Sequence, residues 1–171
     1  MLQYPRWTPF SGALAVLLTG CAGGAAPQAS APATTPASFA LATGTEVRAQ
    51  VAEMLAEMKP DQGFMWRPLV EAGPYAAAIE IWKKPGRPAT HPTEAEYAIV
   101  LEGAGTLIAG DTMVAPVTLP GGMIEGDRIH GNTQRPLRPG DVILIPAGVP
   151  HWFGVTGDRL VLLGTKIPEQ Q

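Results

Sequence analysis

The chain has 171 residues, of which 12 are basic and 15 are acidic, so its formal net charge is −3. This balance excludes the strongly basic surface of a typical nucleic-acid-binding domain, and an apolar content of 46% excludes a wholly disordered chain. Glycine (20 residues) and proline (18 residues) separate short apolar runs, a pattern typical of one compact β domain.

The N-terminal segment has the features of an export signal. Arg6 is followed by an apolar stretch from Ala13 to Leu18, which is shorter than the roughly 20 residues that a bilayer span needs. The sequence Leu18-Thr-Gly-Cys21 resembles the bacterial lipobox. That resemblance implies a signal peptide over residues 1–20 and a lipoprotein whose lipidated Cys21 anchors it on the periplasmic or cell-surface side of a membrane. An ordinary secretory signal and the apolar N-terminus of a cytosolic protein are the alternatives.

The next segment, residues 21–43, begins at Cys21 and is rich in Ala, Pro, Thr, Ser and Gly. Such a composition buries too little apolar area to offset the conformational entropy lost on ordering. We therefore expect a flexible linker between the lipid and a folded domain over residues 44–171.

A helix is predicted from about Thr45 to Met58, because apolar residues recur there at helical spacing. The residues on this apolar face are Val47, Val51, Met54, Leu55 and Met58. Pro60 ends the predicted helix. A helix with one apolar stripe is expected to pack on the outside of the β domain.

From Phe64 onward the chain reads as short strands separated by turns such as Pro120-Gly-Gly122. The predicted strands are Arg67–Glu71, Tyr75–Lys83, Ala89–His91, Ala95–Leu101, Gly105–Ile108, Asp111–Val117, Met123–Glu125, Asp141–Ile145, His151–Val155 and Leu160–Lys166. The stretch between Leu107 and Pro139 is interpreted as a long connection with an added hairpin.

Two short segments of this β region resemble the paired motifs of the cupin superfamily. The matching residues are His91, Glu96 and Gly103 in the first motif and Gly140, Pro146, Gly148 and His151 in the second. Ala89 stands where the first motif has its first histidine, and Val155 stands where the second motif has asparagine. The resemblance covers about residues 75–166 and implies an all-β fold, a small cupin barrel (double-stranded β-helix or jelly roll) with one N-terminal helix.

The resemblance also implies a metal site, because metal-binding cupins use three histidines and one glutamate. His91, Glu96 and His151 keep three of those positions, while Ala89 cannot be a ligand. Two imidazoles and a carboxylate suit a divalent transition metal such as Fe, Mn, Ni or Zn. His130 is a further histidine, but its setting in Arg128-Ile-His-Gly131 favours an exposed turn.

Strand alternation independently places several of these side chains on common faces. The predicted interior pocket is lined by Ala89, His91, Glu96, Ala98, Val100, Leu144, His151 and Phe153. Three tryptophans, Trp66, Trp82 and Trp152, are expected at the barrel ends or on its outer face.

Two functional hypotheses follow from the predicted pocket. The first is an extracytoplasmic, membrane-tethered cupin that binds a metal in the barrel and acts on a small molecule. The alternative is a metal-free cupin that binds a small molecule without catalysis, and the missing ligand at Ala89 favours it. By resemblance, a homodimer paired through strands is a further expectation, and no nucleic-acid partner is expected.

Overall fold

A computed structural model describes residues 39–169 of the chain. The predicted signal peptide, the lipidation site at Cys21 and most of the predicted linker lie outside these residues. Within residues 39–169, no helix combines the length and the apolar character that crossing a membrane would require.

Helix α1 spans Gly44–Glu57 and is fixed at its start by a capping box. The backbone N–H of Glu46 donates to Oγ1 of Thr43 at 3.3 Å, while the backbone N–H of Thr43 donates to Oε2 of Glu46 at 2.6 Å. These reciprocal bonds satisfy two N–H groups that a helix start otherwise leaves unpaired. The bounds agree with the predicted helix to within one residue.

Eleven strands follow within the described residues. They are β1 (Phe64–Ala72), β2 (Tyr75–Trp82), β3 (Ala89–Thr90), β4 (Glu94–Ala109), β5 (Thr112–Val114), β6 (Val117–Thr118), β7 (Ile124–Glu125), β8 (Arg128–His130), β9 (Thr133–Leu137), β10 (Val142–Ile145) and β11 (His151–Pro168).

The strands form one nine-stranded sheet and a separate two-stranded sheet of β5 and β8. The main hydrogen-bonded path runs β1-β2-β11-β3-β7-β6, and β4 pairs with β9, β10 and β11. All pairings are antiparallel, and the two long strands β4 and β11 pair over most of their length. The predicted all-β jelly-roll class with one N-terminal helix is confirmed.

Two apolar cores lie on opposite faces of strands β2 and β11. The interior core consists of Ala98, Val100, Leu137, Ile143, Ile145, Phe153, Leu160 and Leu162. The second core joins the helix to the sheet and consists of Val51, Met54, Met58, Ile79, Ile81 and Val161, with Val47 and Leu55 packed against it. The helix therefore covers the outside of the sheet with the apolar face that its periodicity predicts.

Gly103 shows why the first motif ends in glycine. Its φ is +76°, and a Cβ at this position would lie 2.0 Å from the carbonyl oxygen of Arg159. The close passage of β4 past β11 therefore leaves no room for a side chain at this point.

The predicted inward orientation of Leu144 is wrong. Leu144 is 65% exposed, whereas Ile143 and Ile145 on either side are 5% and 4% exposed. Val142, Ile143, Leu144 and Ile145 are all apolar. The sequence of this strand therefore has no alternation of polar and apolar residues that would show which side chains face the interior.

Strands β8 and β9 were not predicted, although two other segments of the same stretch, Asp111–Val117 and Met123–Glu125, were predicted as strands. Arg135 and Pro136 of β9 are exposed and resemble loop residues in the sequence. His130 lies on β8 opposite Thr112 and is exposed, as its sequence setting suggests.

Candidate metal centre

Three side chains from different parts of the sheet converge at one point inside the domain. Glu96 lies on β4, His151 is the first residue of β11, and His91 immediately follows β3. His91 Nε2 is 3.4 Å from Glu96 Oε2, and His151 Nε2 is 3.1 Å from the same oxygen. One ligand atom from each residue lies within 4.8 Å of the others, so the group could hold a metal ion.

The ring of His151 is held in a defined tautomer by the backbone. Its Nδ1 is 2.9 Å from the carbonyl oxygen of Val149, and because a carbonyl only accepts, Nδ1 carries the proton and donates it. The other nitrogen, Nε2, therefore faces Glu96 Oε2. A proton or a metal ion between these two atoms is needed to make the contact favourable. A metal-binding histidine commonly donates its second nitrogen to a carbonyl in this way.

The turn of the second motif holds His91 in place. Gly148 has φ +76°, a conformation that favours glycine, and its backbone N–H donates to the carbonyl oxygen of His91 at 2.8 Å. The same turn leads through Val149 into His151. One hydrogen-bonded turn thus sets both imidazoles relative to each other, with ring centroids 5.5 Å apart.

The spacing of the ligand atoms fits a transition metal. Zn–N and Zn–O bonds of about 2.0–2.2 Å place two ligand atoms of one ion about 3.0–3.5 Å apart at tetrahedral to octahedral angles. The separations of His151 Nε2 and His91 Nε2 from Glu96 Oε2, 3.1 Å and 3.4 Å, lie in this range. Ala89 pairs directly with His151 across β3 and β11. An ion held here would therefore keep that side open to water or a ligand.

Lys166 is a fourth polar residue of the site that sequence analysis did not place there. It lies directly opposite Glu96 in the β11–β4 register. Its Nζ forms an ion pair with Glu96 Oε2 and lies 2.9 Å from His91 Nε2. The signal was present in the predicted strand Leu160–Lys166, because alternation places Leu160, Leu162, Gly164 and Lys166 on one face.

The surroundings of Glu96 favour its ionised form. Burial raises its pKa, but the hydrogen bond with His151, the close contact with His91 and the positive charge of Lys166 lower the pKa far below its usual value. Glu96 is 4% exposed, so a carboxylate is held inside the domain among groups that bind it.

Glu80 is a second buried carboxyl group that sequence analysis missed. It is 9% exposed and lies on β2, where it accepts a hydrogen bond from Nε1 of Trp82 at 3.2 Å. Burial, and then the negative charge of Glu96, raise the pKa of Glu80 to about 7, although Lys166 partly opposes this. A charged residue between Ile79 and Ile81 was the available sequence signal.

A cavity of about 400 Å³ opens onto the converging side chains. Its lining residues are Phe64, Trp66, Glu80, Trp82, Gly86, Arg87, Ala89, His91, Glu96, Met123, Glu125, His151, Trp152, Phe153 and Lys166. The three tryptophans expected at the barrel ends or outer face all line this cavity. Nη2 of Arg87 forms an ion pair with Oδ1 of Asp127 at 2.7 Å. This ion pair joins the segment before β3 to the β7–β8 connection beside the cavity.

The cupin family model matches residues 86–169, a range that includes the three converging residues and Lys166. The domain belongs to the cupin superfamily. No curated protein sequence matches the chain.

Several solved structures resemble this cupin at low sequence identity. The TT1209 protein of Thermus thermophilus is 16% identical, with a TM-score of 0.49 over 70% of this chain and 95% of its own. Peruvianin-I, a cysteine peptidase from Thevetia peruviana latex, is 12% identical, with a TM-score of 0.47 over 67% of each chain. KdgF from a Halomonas species is 17% identical, with a TM-score of 0.45 over 66% of this chain and 87% of its own.

Proposed function

We propose that this cupin binds one divalent transition metal through His91, Glu96 and His151 and takes a small molecule into the adjoining cavity. The observation that carries the proposal is the convergence of two imidazole nitrogens and one carboxylate oxygen at metal-ligand spacing. This ligand set suits Fe(II), Mn(II), Ni(II) or Zn(II). A metal held there would supply Lewis-acid polarisation of an oxygen on the bound molecule.

The chain's own side chains would position that molecule. Trp66, Trp82 and Phe153 give the cavity an aromatic wall on which an apolar or flat group can pack. Glu80, whose pKa is raised to about 7, supplies a carboxyl group that can donate a hydrogen bond below that pH. Together these features favour a small, partly apolar ligand with at least one oxygen atom directed at the metal ligands.

Thermal unfolding of metal-free protein in the presence of Zn²⁺, Mn²⁺ or Fe²⁺ tests the metal site. An ion that binds only the native state stabilises it by about 2.7 kcal/mol when its free concentration is 100 times Kd. We expect a midpoint that rises with ion concentration and returns to its starting value after chelation. An unchanged midpoint with every ion would contradict the proposal.

The second candidate function is a metal-free module that binds a small molecule. It is favoured by the ammonium of Lys166, which already neutralises Glu96, and by Ala89 at the position of the fourth ligand. In that case a chelator leaves both the unfolding midpoint and the affinity for the small molecule unchanged.

The localisation of the protein is a separate part of the proposal. Residues 1–20 would be an export signal and residues 21–43 a tether, so that lipidated Cys21 holds the cupin domain (residues 44–171) on the outer side of a membrane. Replacing Cys21 with Ser should abolish incorporation of labelled fatty acid and release the protein from the membrane fraction, while Ser30→Ala should change neither. A labelled, membrane-bound Cys21→Ser protein would contradict lipidation at this residue.

A homodimer remains a prediction that rests on resemblance to cupins that pair through strands. Val142 and Leu144 on the outward face of β10 are 62% and 65% exposed, and they offer apolar surface for such pairing.

A further inference from the structure

The ammonium of Lys166 uses the same atoms that a metal ion would need. Its Nζ lies 2.9 Å from His91 Nε2 and forms an ion pair with Glu96 Oε2. An ammonium is a donor only, so the lone pair of His91 Nε2 accepts its hydrogen bond. A lone pair engaged in this way cannot coordinate an ion, so the ammonium and a metal would compete for His91 Nε2 and Glu96 Oε2.

We propose that Lys166 is a built-in cation that holds Glu96 and His91 together in the metal-free protein and must leave when a metal binds. Lys166 thereby sets the metal affinity of the site. The proposal rests on the proposed metal site, but its first consequence concerns the metal-free protein alone.

The structure provides a place for the displaced ammonium. Lys166 also lines a second, smaller cavity of about 160 Å³, whose other lining residues include Glu80 and Glu94. The Lys166 side chain is 33% exposed, so rotation about its flexible stem can carry Nζ from one cavity toward the other. Glu94 and Glu96 lie two residues apart on β4, within the reach of one lysine side chain.

The test compares Lys166→Met with wild type in the purified full chain. Methionine keeps most of the stem but removes the charge. We expect Zn²⁺, titrated against a chromophoric chelator, to bind the variant about 10- to 100-fold more tightly, the range by which residues next to metal ligands alter affinity. Lys84→Met is the matched control, because Lys84 is exposed and its Nζ contacts only the carbonyl oxygen of Asp61 among the described residues.

Urea unfolding of the metal-free proteins provides a readout that needs no metal. Lys166→Met should be less stable than Lys84→Met, because Glu96 loses its cationic partner. In a Glu96→Gln background that extra loss should disappear, since the two changes remove the same interaction. If Lys166→Met does not fold, Lys166→Gln, which keeps a donor without the charge, replaces it in both measurements.

Each outcome decides the proposal. Equal or weaker Zn²⁺ binding by Lys166→Met overturns displacement, as does a metal-free stability equal to that of Lys84→Met. Zn²⁺ binding by the variant but not by wild type supports the inference while contradicting the proposed metal function of the natural protein. Failure of both proteins to bind any of Zn²⁺, Mn²⁺, Fe²⁺ and Ni²⁺ overturns both the inference and the proposed metal site.

Discussion

Replacement of His151 with alanine is expected to abolish tight metal binding. The change removes one of the three proposed ligands. Even residues next to metal ligands are worth about 10- to 100-fold in affinity, so we expect a loss of more than about 100-fold. The buried Glu96 also loses its 3.1 Å contact, and breaking a buried charge contact of this kind costs about 3 kcal/mol of folding stability. Isothermal titration with Zn²⁺ and urea unfolding of metal-free protein measure the two effects.

His130→Ala is the matched control for this variant. His130 is exposed on β8 and outside the converging group, so its loss should leave both metal affinity and stability unchanged. Retention of Zn²⁺ by His151→Ala at wild-type affinity would remove His151 from the ligand set.

Replacement of Glu80 with glutamine is expected to flatten the pH dependence of stability between about pH 4.5 and about pH 7. In the unfolded chain Glu80 ionises near its ordinary pKa of 4.5, whereas the folded pKa is about 7. The folded state thus binds the proton of Glu80 more tightly than the unfolded state does. The resulting contribution to folding stability is fully present below pH 4.5 and is lost as pH rises through about 7. A pKa difference of this size corresponds to about 3 kcal/mol of folding stability.

The measurement is urea unfolding of metal-free wild type and Glu80→Gln at several pH values across that range. Other titrating groups are present in both proteins, so the difference between the two curves isolates Glu80. Glu53→Gln, at an exposed position on α1, serves as the control and should retain the wild-type slope. Parallel curves for wild type and Glu80→Gln would show that Glu80 ionises alike in the folded and unfolded states.

Sequence patterns were sufficient where periodicity and turn chemistry agreed. Helix α1 has a clear apolar stripe bounded by Pro60, and its packing face was predicted residue by residue. The convergence of His91, Glu96 and His151 was implied by the resemblance to the two cupin motifs, whose glycines and prolines form the turns next to them. Gly148, which bonds to His91 in the structure, is one of those motif residues.

The missed features depend on information that a single strand does not carry. Lys166 reaches the site only because β11 pairs with β4 in the register that sets it opposite Glu96. Glu80 becomes buried because both faces of β2 are covered, one by the interior core and the other by α1. Leu144 was misplaced because an unbroken apolar run is compatible with either orientation of the strand.

Metal content, measured by mass spectrometry on protein purified without an affinity-metal step, tests the central claim most directly. A site of this type predicts about one Fe, Mn, Ni or Zn ion per chain, absent from a His91→Ala variant purified in the same way. Protein that contains no metal and takes up none after anaerobic reconstitution with Fe(II) would contradict the account. Lys166 would then be the permanent cation of a metal-free binding pocket.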